Sequence, residues 1–231
     1  MKYKNIKLEL KYLIILFTLY SFFLTPIASV QATSPNRYYA GYYGYNDPDG
    51  IRGDILTIDS SVIYDELFGE WVMVIISYSP HYWVQLGYFK HWSWFWFIPY
   101  TRLDFYFERM HAVWPYHWIS YSLLLPLIGH TYTYEIKYEF DGFNSWHYKI
   151  LEGQNFIFGG DIASVPSTHV DLQALVESSH TSIQIDGSHF TNLKYFDDPN
   201  WYLWSAYWDY DTGPYSVQQI SSYEFYANGG G

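Results

Sequence analysis

TYTYEIKYEF, residues Thr131 to Phe140, alternates polar and apolar side chains without interruption. Successive side chains of a β-strand point to opposite faces, so this pattern predicts a strand with one buried face and one hydrated face. The buried face would carry aromatic and β-branched side chains, which fit a pleated surface. The segment therefore predicts an antiparallel sheet that packs on a core through one side.

Similar short strands are expected along most of the chain. The candidates are Glu70 to Tyr78, Tyr82 to Lys90, Arg102 to Met110, Trp146 to Leu151, Leu172 to Ser178, His189 to Phe196 and Ser216 to Tyr226. Turn sequences such as Asp141-Gly142, Glu152-Gly153 and Asp186-Gly187 separate most of them, and no stretch has the periodicity of an amphipathic helix. Aromatic residues make up 23% of the chain, which favours strands further. We expect an all-β fold of two packed antiparallel sheets, a sandwich of jelly-roll or concanavalin-like type.

The first 32 residues have the organisation of a secretion signal. Four lysines among the first eleven residues precede an uncharged run from Tyr12 to Leu24, and small residues follow up to Ala32. The apolar run is short for a bilayer span of about 20 residues. We expect cleavage after Ala32, which would make residues 1–32 a signal peptide and residues 33–231 a single β-sandwich domain. That domain would be secreted, monomeric and without a stable membrane anchor.

The charge and the cysteine count exclude several classes of function. Removing the signal takes away four lysines and one glutamate and changes the formal net charge from −11 to −14. An acidic surface repels nucleic acid, so nucleic acid is not an expected partner. The chain has no cysteine, which excludes disulfides and thiol chemistry.

We expect neither a cofactor nor a metal. The chain has nine histidines, but no two are separated by the two, three or four positions of a local ligand pair. A site assembled from distant strands is the alternative. It would use His81, His91, His111 and His117.

Three predicted strands carry polar groups opposite their apolar face. The residues on these faces are Trp83, Gln85 and Gly87 in one strand, Arg102, Asp104, Tyr106 and Glu108 in the next, and Gln173, Leu175 and Glu177 in a third. A glycine within a strand leaves room for a close approach by a ligand or another chain. A solvent-facing Gln85 beside a bulge would give the same pattern. If the third strand belongs to the same sheet, Glu177 shares a face with Gln85.

The order of these segments resembles the glutamic peptidases, the eqolisin family, and more distantly the neprosin-type plant enzymes. The family motif of a hydrophobic residue and Gln-Thr-Gly-Val resembles Val84 to Tyr88, and the family strand Trp-Tyr-Glu-Trp-Tyr resembles Phe105 to Glu108. The family motif Ala-Glu-Trp-Ile-Val-Glu resembles Leu172 to Glu177, and Gly-x-Val-x-Phe-x-Asn is similar to Gly187 to Asn192. By order of motifs the resemblance covers roughly residues 70 to 196.

The resemblance implies an acid endopeptidase that acts on a polypeptide substrate with a Gln/Glu pair. Glu177 would be the general base that activates water and then returns the proton to the leaving amine. The Gln85 amide would donate a hydrogen bond to the developing oxyanion, a contact worth about 3 kcal/mol. Neighbouring acids and burial next to an indole would raise the pKa of Glu177. Substrate contacts would come from Trp83, Asp104, Tyr106, Glu108 and Gln173.

The chain also departs from the family pattern. Leu86, Gln173 and Ala174 stand where the family has Thr, Glu and Trp. A relative that uses the groove only for binding therefore stays open as an alternative.

A second class of function is a carbohydrate- or polymer-binding sandwich without turnover. Trp92, Trp94 and Trp96 alternate, so three indoles would form a stacking platform on one face. A hairpin buried in the core or docked on a membrane explains the same tryptophans. A glycosidase that pairs Asp104 or Glu108 with Glu177 ranks third.

Overall fold

The computed structural model describes residues 36–44, 47–79, 81–95, 98–111, 116–139, 145–162, 171–205 and 207–231. Strands dominate this part of the chain, and none of it forms a helix that could cross a membrane. The strands are β1 Tyr38–Gly44, β2 Gly50–Leu56, β3 Leu67–Tyr78, β4 His81–Phe95, β5 Ile98–His111, β6 Tyr116–Tyr121, β7 Thr131–Glu139, β8 Ser145–Glu152, β9 Asn155–Ile162, β10 Asp171–Ser178, β11 Ser188–Asp197, β12 Asn200–Leu203, β13 Trp208–Asp211, β14 Ser216–Ser221 and β15 Glu224–Asn228.

These strands form two antiparallel sheets. The seven-stranded sheet has the order β13-β1-β10-β3-β4-β5-β6. The eight-stranded sheet has the order β14-β15-β11-β2-β7-β8-β9, and β12 pairs with β11. Both sheets belong to one compact unit, Ser34–Gly231. The expected all-β sandwich of two antiparallel sheets is confirmed.

The core lies between the two sheets and is rich in aromatic rings. Strand β7 behaves as its sequence predicts, because Tyr132, Tyr134, Ile136 and Tyr138 all face this core. Its partners across the sandwich include Tyr82, Val84, Leu86 and Tyr88 of β4 and Leu172, Ala174 and Val176 of β10. Each large side chain buried in this way contributes about 1.5–3 kcal/mol to stability. The predicted inward faces of these three strands are confirmed.

The sequence pattern was less successful at the ends of the chain. The expected strand from Ser216 to Tyr226 is wrong, since β14 and β15 form a hairpin that turns at Ser222 and Tyr223. Six further strands were not expected: β1, β2, β6, β9, β12 and β13. Asp186-Gly187 and Glu152-Gly153 do lie at turns, whereas Asp141-Gly142 lies outside the described residues.

One carboxyl group is enclosed in the core. Glu70 of β3 is fully buried, opposite Tyr88 of β4. Burial raises the pKa of Glu70 to about 8, and its neighbours Ser188 and Tyr88 offset only part of that rise. Glu70 is therefore neutral inside the sandwich at acid pH.

Candidate active site

A second apolar cluster covers the face of the seven-stranded sheet that points away from the core. Its buried members are Trp71, Met73, Ile75, Phe89, Tyr106 and Leu175, with Tyr39, Leu67, Trp83 and Ile119 packed against them. These residues alternate with core residues along their strands, which places them on the opposite face. We call this surface the outer cluster. Polar groups within it are shielded from water, so their charges interact strongly.

Gln85 lies on this face of β4, between Met73 of β3 and Glu108 of β5. Only 6% of Gln85 is exposed, so its interpretation as a solvent-facing residue is wrong. Its Nε2 donates a hydrogen bond to the hydroxyl oxygen of Tyr106. A primary amide has two N–H donors, and this bond uses one of them while fixing the orientation of the group.

Gly87, two residues further along β4, allows a close approach by the neighbouring strand. A Cβ at this position would lie 2.1 Å from the Glu70 carbonyl oxygen and 2.7 Å from the Trp71 Cβ. Gly87 pairs with Trp71 on one side and with Tyr106 on the other. On this face of the sheet, a position without a side chain therefore lies between the Trp71 indole and the Tyr106 phenol.

Glu177 lies on the same face of the sheet, on strand β10. Its Oε1 is 2.5 Å from Nη1 of Arg37, and its Oε2 accepts a hydrogen bond of 3.1 Å from Nε1 of Trp71. Burial raises the pKa of Glu177, while the Arg37 charge and the Trp71 bond act in the opposite direction. The expected upward direction of the Glu177 pKa holds, with burial as the cause that raises it. The expected contribution of neighbouring acids does not, because neither Asp104 nor Glu108 is among the causes.

A second carboxyl group, the half-buried Glu108, lies beside Gln85. Burial and the negative charge of Glu177 raise the pKa of Glu108 to about 8. The pKa of the Tyr106 hydroxyl is also raised, first by burial and then by the charges of Glu108 and Glu177. Gln85, Tyr106, Glu108 and Glu177 therefore form one electrostatically connected group.

Gln85 and Glu177 lie on different rows of the sheet. Met73 is the register partner of both Gln85 and Gln173, whereas Glu177 pairs with Gly69. The row between them holds Trp71, Gly87 and Tyr106. Trp71 forms a hydrogen bond with Glu177, and Tyr106 forms one with Gln85. Gly87, which has no side chain, therefore lies between the two candidate catalytic residues and their aromatic partners.

The remaining predicted site residues fall into two groups. Trp83 packs against the outer cluster, and Gln173 is a half-buried side chain on the same face of β10. Asp104 is buried in an ion pair of 2.7 Å with Nε of Arg102 and lies 3.1 Å from Nε2 of His91. Its charge is thus already neutralised locally, which makes Asp104 a poor substrate-binding or glycosidase carboxylate.

Two alternative sites fall only partly within the described residues, because the side chains of His111, His117 and Trp96 lie outside them. The described part of the chain holds no group of three His, Asp or Glu side chains close enough to bind a metal ion. The tryptophan platform is incomplete, because Trp92 packs against the core and donates from Nε1 to the Val62 carbonyl at 3.3 Å. Trp94 is exposed, and Trp96 lies outside the described residues.

Sequence reasoning missed Arg37 and Trp71. Alternation would have placed Trp71 in the core, because an acidic neighbour such as Glu70 is expected on the hydrated face; the structure buries Glu70 in the core and places Trp71 in the outer cluster. Arg37 carries no sequence signal either. It reaches Glu177 only because β1 pairs with β10, with Tyr39 opposite Glu177.

Comparison with solved structures bears on the resemblance noted above. A structure of Scytalido-glutamic peptidase with a peptide-based transition-state analogue superposes with a TM-score of 0.57 over 84% of this chain and 98% of that one, at 9% identity. SCP-B, a member of the eqolisin family in complex with the tripeptide Ala-Ile-His, gives a TM-score of 0.53 over 84% of this chain and 98% of that one, at 8% identity. The chain has the eqolisin fold. No protein-family model and no curated protein sequence matches it.

Proposed function

We propose that this chain is a secreted glutamic peptidase that cleaves polypeptides with Glu177 and Gln85. The observation that carries the proposal is the environment of Glu177. A carboxylate whose side chain is only 15% exposed is held by Arg37 and Trp71 on the sheet face that also holds Gln85. The eqolisin fold supports this choice, because structures with that fold bind a peptide-based transition-state analogue and a tripeptide.

The chemistry follows from the two functional groups. Ionised Glu177 takes a proton from a water molecule, and that water attacks the carbonyl carbon of the scissile bond. Negative charge then grows on the carbonyl oxygen, where the N–H of Gln85 and the hydroxyl of Tyr106 are the nearby donors. Glu177 finally gives its proton to the departing amine. The scissile bond would lie over Gly87, between the donors and the base.

Two carboxyl groups define a pH window for this reaction. Glu177 must be ionised to act as a base, and its raised pKa moves the lower limit of activity above the ordinary range of a glutamate. Glu108 must be neutral, because a negative charge opposite Gln85 would repel the oxyanion. Since the pKa of Glu108 is about 8, activity would fall above that pH. The working range would therefore run from weak acid to about pH 8.

The test is hydrolysis of casein or haemoglobin by purified protein across acid and neutral pH. Glu177→Gln and Gln85→Ala should each lower kcat/KM by a factor of about 100 or more, because each removes a group that acts in the transition state. Asp211→Asn, on exposed strand β13, is the matched control and should leave turnover unchanged. Unchanged cleavage by either site variant, with circular dichroism showing an intact fold, would refute the assignment.

A further inference from the structure

The end of the molecule that carries the β4–β5 hairpin is unusually apolar. In the loop that follows β6, five aliphatic side chains are half exposed or more, and Leu123 is 99% exposed. They are Leu123, Leu124, Leu125, Leu127 and Ile128. Trp94, Ile98 and Tyr100 of the hairpin are exposed as well. Soluble monomers rarely expose so many contiguous apolar groups, so this surface indicates a binding site for a partner.

The loop and the hairpin form one surface, which we call the apolar tip. A shallow depression is lined on one side by Tyr100 to Leu103 and on the other by Leu125 to Ile128. The backbone N–H of Ser122 donates to the Phe105 carbonyl at 3.1 Å, which ties the loop to β5. The apolar tip therefore presents its side chains from a fixed backbone.

The loop itself is held in a defined shape. The Gly129 N–H donates to the Thr57 carbonyl at 2.8 Å, and the His130 N–H donates to the Leu127 carbonyl at 3.1 Å. The Leu127 N–H donates to the Tyr132 hydroxyl at 3.1 Å. These bonds satisfy three N–H groups of the loop and so lower the desolvation cost of bringing it into an apolar medium.

The charges of the apolar tip differ from those of the rest of the chain. The chain has 23 acidic residues, yet residues 90–103 and 116–130 contain no Asp or Glu. The two cations at the edge of the tip are neutralised, Lys90 by Asp59 and Arg102 by Asp104. The tip is thus close to neutral and free of carboxylates, in a chain whose formal charge is −11.

We infer that the apolar tip docks this protein on the surface of a lipid bilayer. Protruding aliphatic side chains enter the acyl region, while Trp and Tyr side chains suit the headgroup level. A second copy of the chain is a poorer fit, because two acidic molecules repel one another and a side chain as exposed as Leu123 would need a matching hole. The contact is peripheral and adds no membrane anchor.

Vesicle flotation tests this inference on the purified protein. The protein should float with phosphatidylcholine vesicles, and the binding should persist in about 0.5 M NaCl because apolar burial is not screened by salt. Changing Leu123, Leu124 and Leu125 together to serine should weaken binding by about tenfold or more. Leu203→Ser, which alters an exposed leucine on β12, is the control and should bind like the parent.

Three outcomes would overturn the inference. The parent protein could fail to float, or it could require anionic vesicles and release in salt, which would mark an electrostatic contact. It could also form a dimer at micromolar concentration that the triple serine change dissociates, which would make the apolar tip an interface between copies. Thermal melting of the triple variant shows that the fold is intact, as expected for changes at exposed positions.

Discussion

Arg37 Nη1 lies 2.5 Å from Glu177 Oε1. Trp71 Nε1 donates a hydrogen bond to the other carboxylate oxygen, so both oxygens of Glu177 have a partner within the protein. A buried carboxylate would normally take up a proton, and the guanidinium opposes this. Arg37 thus keeps available the ionised form that a general base needs.

The first prediction concerns this ion pair. Arg37→Gln removes the positive charge and raises the pKa of Glu177 further, so a smaller fraction of Glu177 is ionised at acid pH. The ascending limb of kcat/KM against pH should move up by about 1–2 pH units. Arg37→Lys keeps the charge and should restore most of the parent profile. An ascending limb that stays in place in Arg37→Gln would show that Glu177 is not the titrating base.

The second prediction assigns the upper limit of activity to Glu108. Glu108→Gln preserves the neutral form present in acid, so turnover near pH 5 should stay within about threefold of the parent. The descending limb near the Glu108 pKa of about 8 should move to higher pH, because no charge can form opposite Gln85. Initial rates across the pH range measure both effects. Loss of turnover in Glu108→Gln, together with activity in Glu177→Gln, would instead make Glu108 the base.

Strand alternation was sufficient to predict that Gln85 and Glu177 point away from the core, because their neighbours Leu86 and Val176 point into it. Alternation acts within a strand, so it reports which way a side chain points but not which strand lies beside it. The contact between Arg37 and Glu177 depends on β1 pairing with a strand more than 130 residues later. That pairing, and the hydrogen bond between Gln85 and Tyr106, come from tertiary packing that no local pattern reports.

The third prediction concerns stability and pH. Glu70 has a pKa of about 8 in the folded chain against an ordinary value of 4.5, so the folded state binds its proton more tightly than the unfolded state. Its contribution is complete below about pH 4.5 and is lost as the pH rises through 8. The free energy of unfolding should fall by a few kcal/mol over that interval because of this group. Urea denaturation at pH 4, 6 and 8 measures the change.

Glu70→Gln should flatten this dependence, because an amide does not titrate. Some dependence will remain, since the pKa of Glu108 is raised as well. Asp211→Asn, which alters an exposed carboxylate, should leave the slope as it is in the parent. A parent protein that is equally stable at pH 4 and pH 8 would contradict the buried placement of Glu70.

The last prediction concerns Gly87, where the neighbouring strand leaves no room for a side chain. Gly87→Ala would place a methyl group 2.1 Å from the Glu70 carbonyl oxygen, so β3 and β4 must move apart. We expect a loss of about 2–4 kcal/mol in the free energy of unfolding. Trp71 would move with β3 and lose its bond to Glu177, so kcat should fall even at temperatures where the variant stays folded. Gly213→Ala, where an added Cβ meets nothing within 4 Å, is the control. A Gly87→Ala protein as stable and active as the parent would mean that the two strands do not approach this closely.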